Sequence, residues 1–302
     1  MAATPLPPSS STSASLLADG IRYERGGVVE RARECFETVV EREGDDPAAV
    51  AEAWWRLANL HRLHSSWSEA LDSARTSARI AREHGLANTE ADALNIEGAV
   101  FYMRGEYDTA RELYTRTLEL ASTHGTRAKA LQNLGAVAAM ERHFDDGERL
   151  FAESREAYRA AGDARGEANT LLNMGRLQLD RGLPDLAIVT IAESVIAARA
   201  TGDLEMHAAA LLNHGMVLSE LGLVEDAEER ITTAYGQFTI ADIPVQRVLC
   251  LMQLAAMASG RNEPTGARLC LQHARDVAVA SSLPREIAMI DAQLETLHEA
   301  GS

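Results

Sequence analysis

Two stretches in successive parts of the chain carry almost the same sequence: Leu171–Gly175 reads LLNMG and Leu211–Gly215 reads LLNHG. The same interval continues toward both ends of the chain if only the small residue at the end of this motif is compared. That residue is Gly or Ala at seven places: Gly20, Ala58, Gly98, Gly135, Gly175, Gly215 and Ala255. The spacing between successive members is nearly constant. Self-similarity at a fixed period of this length indicates a repeat architecture.

Two further positions recur after each of these small residues. A second small residue follows after 12 positions, and a large apolar or aromatic residue follows after 16 in every repeat except the second, where Ala74 stands. Small residues let two helix axes approach closely, and large side chains fill the remaining gaps. Each repeat is therefore predicted to be a pair of antiparallel helices joined by a tight turn. Second helices are predicted to end at left-handed glycines, at Gly85, Gly125, Gly162 and Gly202.

The pattern resembles that of the tetratricopeptide repeat family. The resemblance rests on Ala51–Asn59 followed by Trp67–Ala70, on Gly105–Ala110 and on Leu131–Gly135. The period of about 40, against the usual 34, is similar to that of kinesin light chains, Gly-Asn-motif adaptors and bacterial peptide sensors. The resemblance implies an all-α, right-handed superhelical solenoid of seven helix pairs with a C-terminal capping helix.

The repeat divides the whole sequence. We expect a disordered leader over residues 1–14, seven repeats over 15–283, and a capping helix and tail over 284–302. The repeats are expected at about 13–44, 51–86, 91–125, 128–162, 168–202, 208–242 and 248–283.

Composition limits the classes of function. Of 302 residues, 46% are hydrophobic and 25% charged, which excludes wholesale disorder. The net charge of −16 disfavours binding to nucleic acid or to an anionic membrane. No signal peptide or apolar span is evident, and the three cysteines form no CxxC pair. We therefore expect a cytoplasmic protein, and the preference for Arg over Lys suggests a bacterial one.

The candidate binding residues lie on the first helix of each repeat, which the resemblance places on the concave face. Two residues before the small position stands a carboxamide in four consecutive repeats: Asn133, Asn173, Asn213 and Gln253. A carboxamide offers both a donor and an acceptor, so such a row can bind the backbone of an extended peptide. Alternatively, these residues bond neighbouring helices.

Other side chains are expected around this row. A cationic and polar region is predicted in the earlier repeats, from Arg56, Asn59, Arg62, Tyr102, Lys129 and Arg176. An apolar region is predicted from Met140, Met216 and Met252, although Met at helical spacing also suits a core. Cations in such a groove suit an acidic peptide.

The sequence shows no GxSxG, P-loop, GxGxxG or HExxH motif. We therefore expect no enzyme, no metal and no cofactor, but an interaction scaffold or adaptor that binds a peptide segment of a partner protein. The alternatives are a signal-responsive regulator without its own DNA-binding segment and a self-assembling structural scaffold. The oligomeric state does not follow from the sequence.

Overall fold

The computed structural model describes residues 12–25, 28–42, 46–64 and 66–299. Over these ranges the chain forms fifteen α-helices and no strand, which confirms the all-α prediction. The chain divides into two compact units, Met1–Gly162 and Asp163–Ser302. The first unit holds α1 (Ser13–Arg25), α2 (Val29–Val40), α3 (Pro47–Leu63), α4 (Trp67–Glu83), α5 (Ala87–Met103), α6 (Tyr107–Leu120), α7 (His124–Met140) and α8 (Phe144–Ala161). The second holds α9 (Ala164–Asp180), α10 (Pro184–Ala200), α11 (Leu204–Glu220), α12 (Val224–Ile240), α13 (Pro244–Gly260), α14 (Pro264–Ala280) and α15 (Pro284–Glu299).

Most of the predicted leader, residues 1–11, lies outside the described residues. Its last two residues, Ser13 and Ala14, differ from the prediction because they form the first turn of α1. At the other end of the chain, Ile290 of α15 is buried in the core of the second unit. None of the helices over the described residues combines the length and apolar character needed to cross a membrane.

The odd-numbered and the even-numbered helices of each unit form two rows, and the two rows differ in how closely their helices pack. Within each unit, every helix contacts its neighbours in the chain. The odd-numbered helices of a unit also contact one another: α1 with α3, α3 with α5 and α5 with α7 in the first unit, and α9 with α11, α11 with α13 and α13 with α15 in the second. No such contact joins the even-numbered helices of the described chain within a unit. The odd-numbered helices are therefore packed more closely. We call the side of each unit that they form its inner face.

Small residues allow the two helices of a pair to cross. A Cβ atom added to Gly98 of α5 would lie 2.7 Å from the ring of Tyr114 in α6, and one added to Gly135 would lie 2.8 Å from the ring of Phe151. The second repeat lacks a large residue here, and Ile96 of the next inner helix packs against Ala58 and Ala74 instead. The crossing is thus filled in both cases.

Hydroxyl groups add a second link within the pairs. Ser77 Oγ donates to the carbonyl of Ala51 at 2.7 Å, and Ser154 Oγ donates to the carbonyl of Ala128 at 2.9 Å. Both hydroxyl groups are buried, so these bonds satisfy polar groups that water cannot reach.

One predicted helix end is wrong. Gly125 lies inside α7 and has no left-handed conformation, whereas Gly85, Gly162 and Gly202 have positive φ angles. The preceding helix already ends at Leu120, and Ala121 is extended. Thr123 then caps α7, because its side chain accepts from the backbone N–H of Thr126. The chain therefore leaves α6 at the extended Ala121, before the predicted glycine, and Gly125 lies in the first turn of α7.

Candidate functional site

The predicted carboxamides lie on the side of the inner helices that faces away from their pair partners. Gly175 of α9 packs against Ile191 of α10. Each residue turns a helix by about 100°, so Asn173 lies about 200° around α9 from that contact. The same argument places Asn213 opposite the crossing of Gly215 with Ile231. The row is thus positioned by the register of the repeat.

In the first unit, the carboxamide of the row is bound within the chain. Asn133 Nδ2 donates to Asn95 Oδ1 at 2.7 Å, which links α7 to α5. Asn95 was missed by the sequence analysis because it lies one residue before the expected position, where Ile96 turns into the core. The sequence did carry a signal for Asn95, namely an Asn one residue before the position that the carboxamides occupy in the later repeats.

Two of the predicted cations of the first unit are paired with carboxylates. The guanidinium of Arg56 donates to Glu24 on α1 and Glu52 on its own helix, at 2.5 and 2.7 Å. Lys129 Nζ lies 3.6 Å from a carboxylate oxygen of Asp92 on α5. Burial raises the pKa of Asp92, and the charge of Lys129 opposes that rise. Arg56 and Lys129 thus join inner helices and do not offer free charge to a ligand.

Arg62 is different. It is half-buried in the last turn of α3, and Nη2 donates to Asn59 Oδ1 at 2.9 Å. Its Nε is buried and has no acceptor. Burial lowers the pKa of Arg62, because the charged form loses its hydration. Tyr102 of α5 is also half-buried, and its ring centroid lies 5.6 Å from that of Tyr107.

In the second unit, two members of the row have no partner. The side chains of Asn173 and Gln253 are half-buried and form no hydrogen bond with the described part of the chain. Asn213 Nδ2 donates to the carbonyl of Ala209, four residues before it on the same helix, at 2.9 Å. The predicted cation of this unit, Arg176, is paired with Glu220 at 2.9 Å and so is not a free charge either.

A cavity of about 310 Å³ adjoins this part of the inner face. It lies between α13 and α15, with Ala256 and Ser259 on one wall and Gln293 and Leu297 on the other. Ala256 follows Gln253 by three residues, so both lie on the same side of α13. The carboxamide of Gln253 therefore lies one helical turn before Ala256, on the side of α13 that lines this mainly apolar cavity.

The three predicted methionines have different environments. Met140 is 52% exposed at the end of α7. Met216 and Met252 are only half-exposed and pack against the core clusters of the second unit. Of the methionines in the predicted apolar region, Met216 and Met252 therefore pack against the core, and Met140 is exposed.

Reactive groups are few and mostly buried. Over the described residues, no group of three or more His, Cys, Asp or Glu side chains is arranged to hold a metal ion. The three cysteines are free thiols, and burial raises the pKa of Cys250 to about 12. His214 is buried with Nε2 unpaired.

Comparison with known proteins shows which folds the chain resembles. No protein-family model matches the chain. A segment of 174 residues is 26% identical to the regulatory protein AfsR of Streptomyces griseus, and it covers 56% of this chain but only 17% of AfsR. The chain therefore spans about a sixth of the length of that curated relative.

Three solved structures match nearly the whole chain. The apo form of RapI has 13% identity and a TM-score of 0.64, with 92% of this chain and 99% of that one covered. A Rap protein complexed with Competence and Sporulation Factor has 15% identity and a TM-score of 0.63, covering 95% and 87%. The STAND protein PH0952 of Pyrococcus horikoshii, described as having a tetratricopeptide repeat sensor, has 12% identity and a TM-score of 0.69, covering 97% and 44%. By its fold, the chain is a helix-pair repeat protein of the tetratricopeptide type.

Proposed function

We propose that this protein is an interaction scaffold that holds an extended polypeptide segment on the inner face of its second unit. One observation carries the proposal: Asn173 and Gln253 present half-buried carboxamides that have no partner within the described chain. A polar group that is partly removed from water favours a ligand that restores its hydrogen bonds.

The chemistry of the row fits a peptide backbone. A carboxamide donates and accepts, as a peptide group does, so it recognises the main chain without selecting a sequence. Asn213 between them uses its nitrogen internally, and its oxygen is left to accept from a ligand. The cavity lined by Ala256, one helical turn after Gln253, is large enough for an apolar side chain, and it would supply a preference at one position of the segment.

The first unit fits this role less well. Its carboxamide Asn133 is bound to Asn95, and Arg56 and Lys129 are neutralised by carboxylates. A ligand there would have to break these contacts before it gained its own. The segment is therefore assigned to the second unit, which shortens the row expected from the sequence.

The test uses peptides selected by the full chain from a random dodecamer library displayed on phage. The affinity of a selected peptide is measured by calorimetry for Asn173→Ala and Gln253→Ala. Each variant is expected to bind about 2- to 10-fold more weakly, because a net hydrogen bond contributes about 0.5–1.5 kcal/mol. N-methylation of the peptide backbone should weaken binding similarly, whereas most side-chain changes should not.

The matched control is Gln272→Ala, which removes an exposed carboxamide from α14, outside the inner row. Its affinity should equal that of the parent protein. Failure to select any peptide, or equal losses in the control and the two inner-face variants, would overturn the proposal. Melting temperatures of the variants separate a binding effect from unfolding.

A regulator whose inner face senses a signal is a second candidate. The regulatory protein AfsR and the sensor of the STAND protein are the observations that favour it. For this function, peptide binding must alter the structure beyond the contact residues. Hydrogen exchange of the full chain with and without the selected peptide should then change in helices that do not contact it. Protection confined to α9, α11 and α13 would favour a passive scaffold.

We also propose that this binding takes place in the cytoplasm, for which the three free thiols are the support.

A further inference from the structure

Helix α10 exposes apolar side chains on the side that faces away from its pair partner α9. Ile191 of α10 packs against Gly175 of α9. Since each residue turns a helix by about 100°, Val189 and Ile196 lie about 160° and about 140° around the helix from that contact. Their side chains are 56% and 69% exposed. Helix α10 therefore carries apolar side chains both toward the core and toward solvent.

The same two positions are mostly charged in the other repeats. The position of Val189 holds a charged residue in every repeat except the last, where Leu269 stands: Glu34, Asp72, Glu112, Arg149 and Glu229. The position of Ile196 holds a charged residue or Gly: Glu41, Arg79, Glu119, Glu156, Gly236 and Asp276. The exposed apolar pair is therefore particular to α10 and does not follow from the repeat pattern.

The spacing of these residues suits packing against another helix. Val189, Ala192 and Ile196 follow one another at intervals of three and four, which places them along one side of α10. Leu186 lies beside this line and is exposed as well. Ala192 is small and half-buried, so a second helix can approach closely there. We call these four residues the α10 stripe. A helix that is apolar on all sides is normally covered on all sides.

Opposite charges lie at the two ends of the α10 stripe. Asp185 lies about two turns before Ala192, and Arg199 lies about two turns after it. Both side chains are exposed, and neither forms an ion pair within the described chain. If two copies of α10 pack antiparallel around Ala192, Asp185 of each copy lies near Arg199 of the other. Parallel packing would instead bring like charges together.

We propose that this protein forms a dimer in which the α10 stripes of two copies pack antiparallel. The occupant of the stripe is a second copy because the end charges pair with each other when one copy is reversed. Such a two-fold contact uses the same patch on both copies and closes on itself, so it gives a dimer and not an extended assembly. The stripe faces away from α9, so dimer formation leaves the inner face of the second unit open.

The dimer is expected to be weak. One helix face covers less than the about 800 Å² that each partner of a standard interface buries, so we expect a dissociation constant of about 10–500 µM. Sedimentation equilibrium of the full chain from about 1 µM to about 1 mM brackets this range. The weight-average mass should rise from that of one chain toward that of two. A single-chain mass at every concentration would overturn the inference.

Ile196→Asp tests the stripe itself, because a carboxylate placed there loses water when the copies associate. The dissociation constant should rise at least about tenfold. The matched control is Leu269→Asp on α14, which places the same charge on a similarly exposed residue, outside the stripe. The control should bind as the parent protein does. Equal weakening by both substitutions would contradict a contact through α10.

Exchange of the end charges tests the direction of packing. Asp185→Arg and Arg199→Asp should each weaken the dimer about 3- to 10-fold, because each creates two like-charge contacts. The double variant restores opposite charges and should recover the affinity of the parent protein. Single variants as tight as the parent, or a double variant no tighter than either single one, would overturn antiparallel packing. Melting temperatures identify any loss that comes from unfolding. No peptide enters these measurements, so their failure is distinct from failure of the proposed function.

Discussion

Asn133 donates a hydrogen bond to Asn95 at 2.7 Å, and this contact joins two inner helices of successive repeats. Each Asn would otherwise be available to a ligand. The bond therefore converts a potential binding position into a link between neighbouring repeats.

We predict that this link is measurable in a double-mutant cycle. Asn95→Ala, Asn133→Ala and the double variant should give a coupling energy of about 0.5–1.5 kcal/mol in the free energy of unfolding. Urea titrations followed by circular dichroism provide the measurement. Additive losses would show that the two amides act independently.

Gly98→Ala should destabilise the protein by about 1–3 kcal/mol, because the ring of Tyr114 must move in a packed core. The added methyl would lie 2.7 Å from that ring. The control is Gly236→Ala on α12, where an added Cβ meets nothing within 4 Å. There the higher helix propensity of Ala should stabilise the chain by about 0.5–1 kcal/mol. The same sign of change at both positions would contradict the account of the crossing.

Asp242→Gly should stabilise the second unit by about 0.5–1 kcal/mol, because its backbone lies in the left-handed region that strains residues with a Cβ. Asp242 has a φ of 54°. It occupies the place in its repeat that Gly202 occupies in the preceding one, and Gly202 adopts the same conformation with a φ of 72°. Gly202→Ala is the reciprocal change and should cost about 1 kcal/mol. Thermal unfolding measures both; a lower melting temperature for Asp242→Gly would count against backbone strain.

His214 should make the stability depend on pH. Burial is the main reason that its pKa is lowered; Arg230 lowers it further and Asp226 opposes this. The unfolded chain therefore binds this proton more readily, so the contribution of His214 is complete above the ordinary pKa of about 6.5 and is lost as pH falls below it.

The variant His214→Leu tests this pH dependence. Leu occupies the corresponding position in three other repeats, at Leu57, Leu134 and Leu254, so the side chain suits the fold. The variant should lose less stability than the parent between pH 8 and pH 5 in urea titrations. An identical loss in both proteins would exclude His214 as the cause.

The sequence predicted the fold because the crossing residues recur. Gly98 and Tyr114 belong to a pattern that repeats in most pairs, and the close approach of helices leaves few alternatives. The exact limits of the seven repeats stay a prediction. Gly125 shows the limit of reasoning from periodicity, since α6 ends at Leu120 and the N-cap Thr123 begins α7 before that glycine is reached.

The candidate site was less predictable because its charged side chains form ion pairs with residues of neighbouring helices. Arg56 pairs with Glu24 and Lys129 pairs with Asp92, and each carboxylate lies on the preceding inner helix. A sequence identifies the cation but not which side chains of the adjacent repeat reach it. A search for opposite charges near the repeat interval would have suggested the pair of Lys129 with Asp92, but not the pair of Arg56 with Glu24.

The crossings between paired helices also limit which substitutions each repeat can accept. Gly20, Gly98 and Gly135 stand against aromatic rings, whereas Ala58 stands against the smaller Ala74. Gly thus faces each of these three rings, and Ala58 faces the smallest partner, Ala74. A substitution at either position alone leaves a clash or a void, so tolerated variants should change both members of a crossing pair. Covariation between these two positions of each repeat is then expected among relatives of this protein, as a record of conserved volume rather than of shared function.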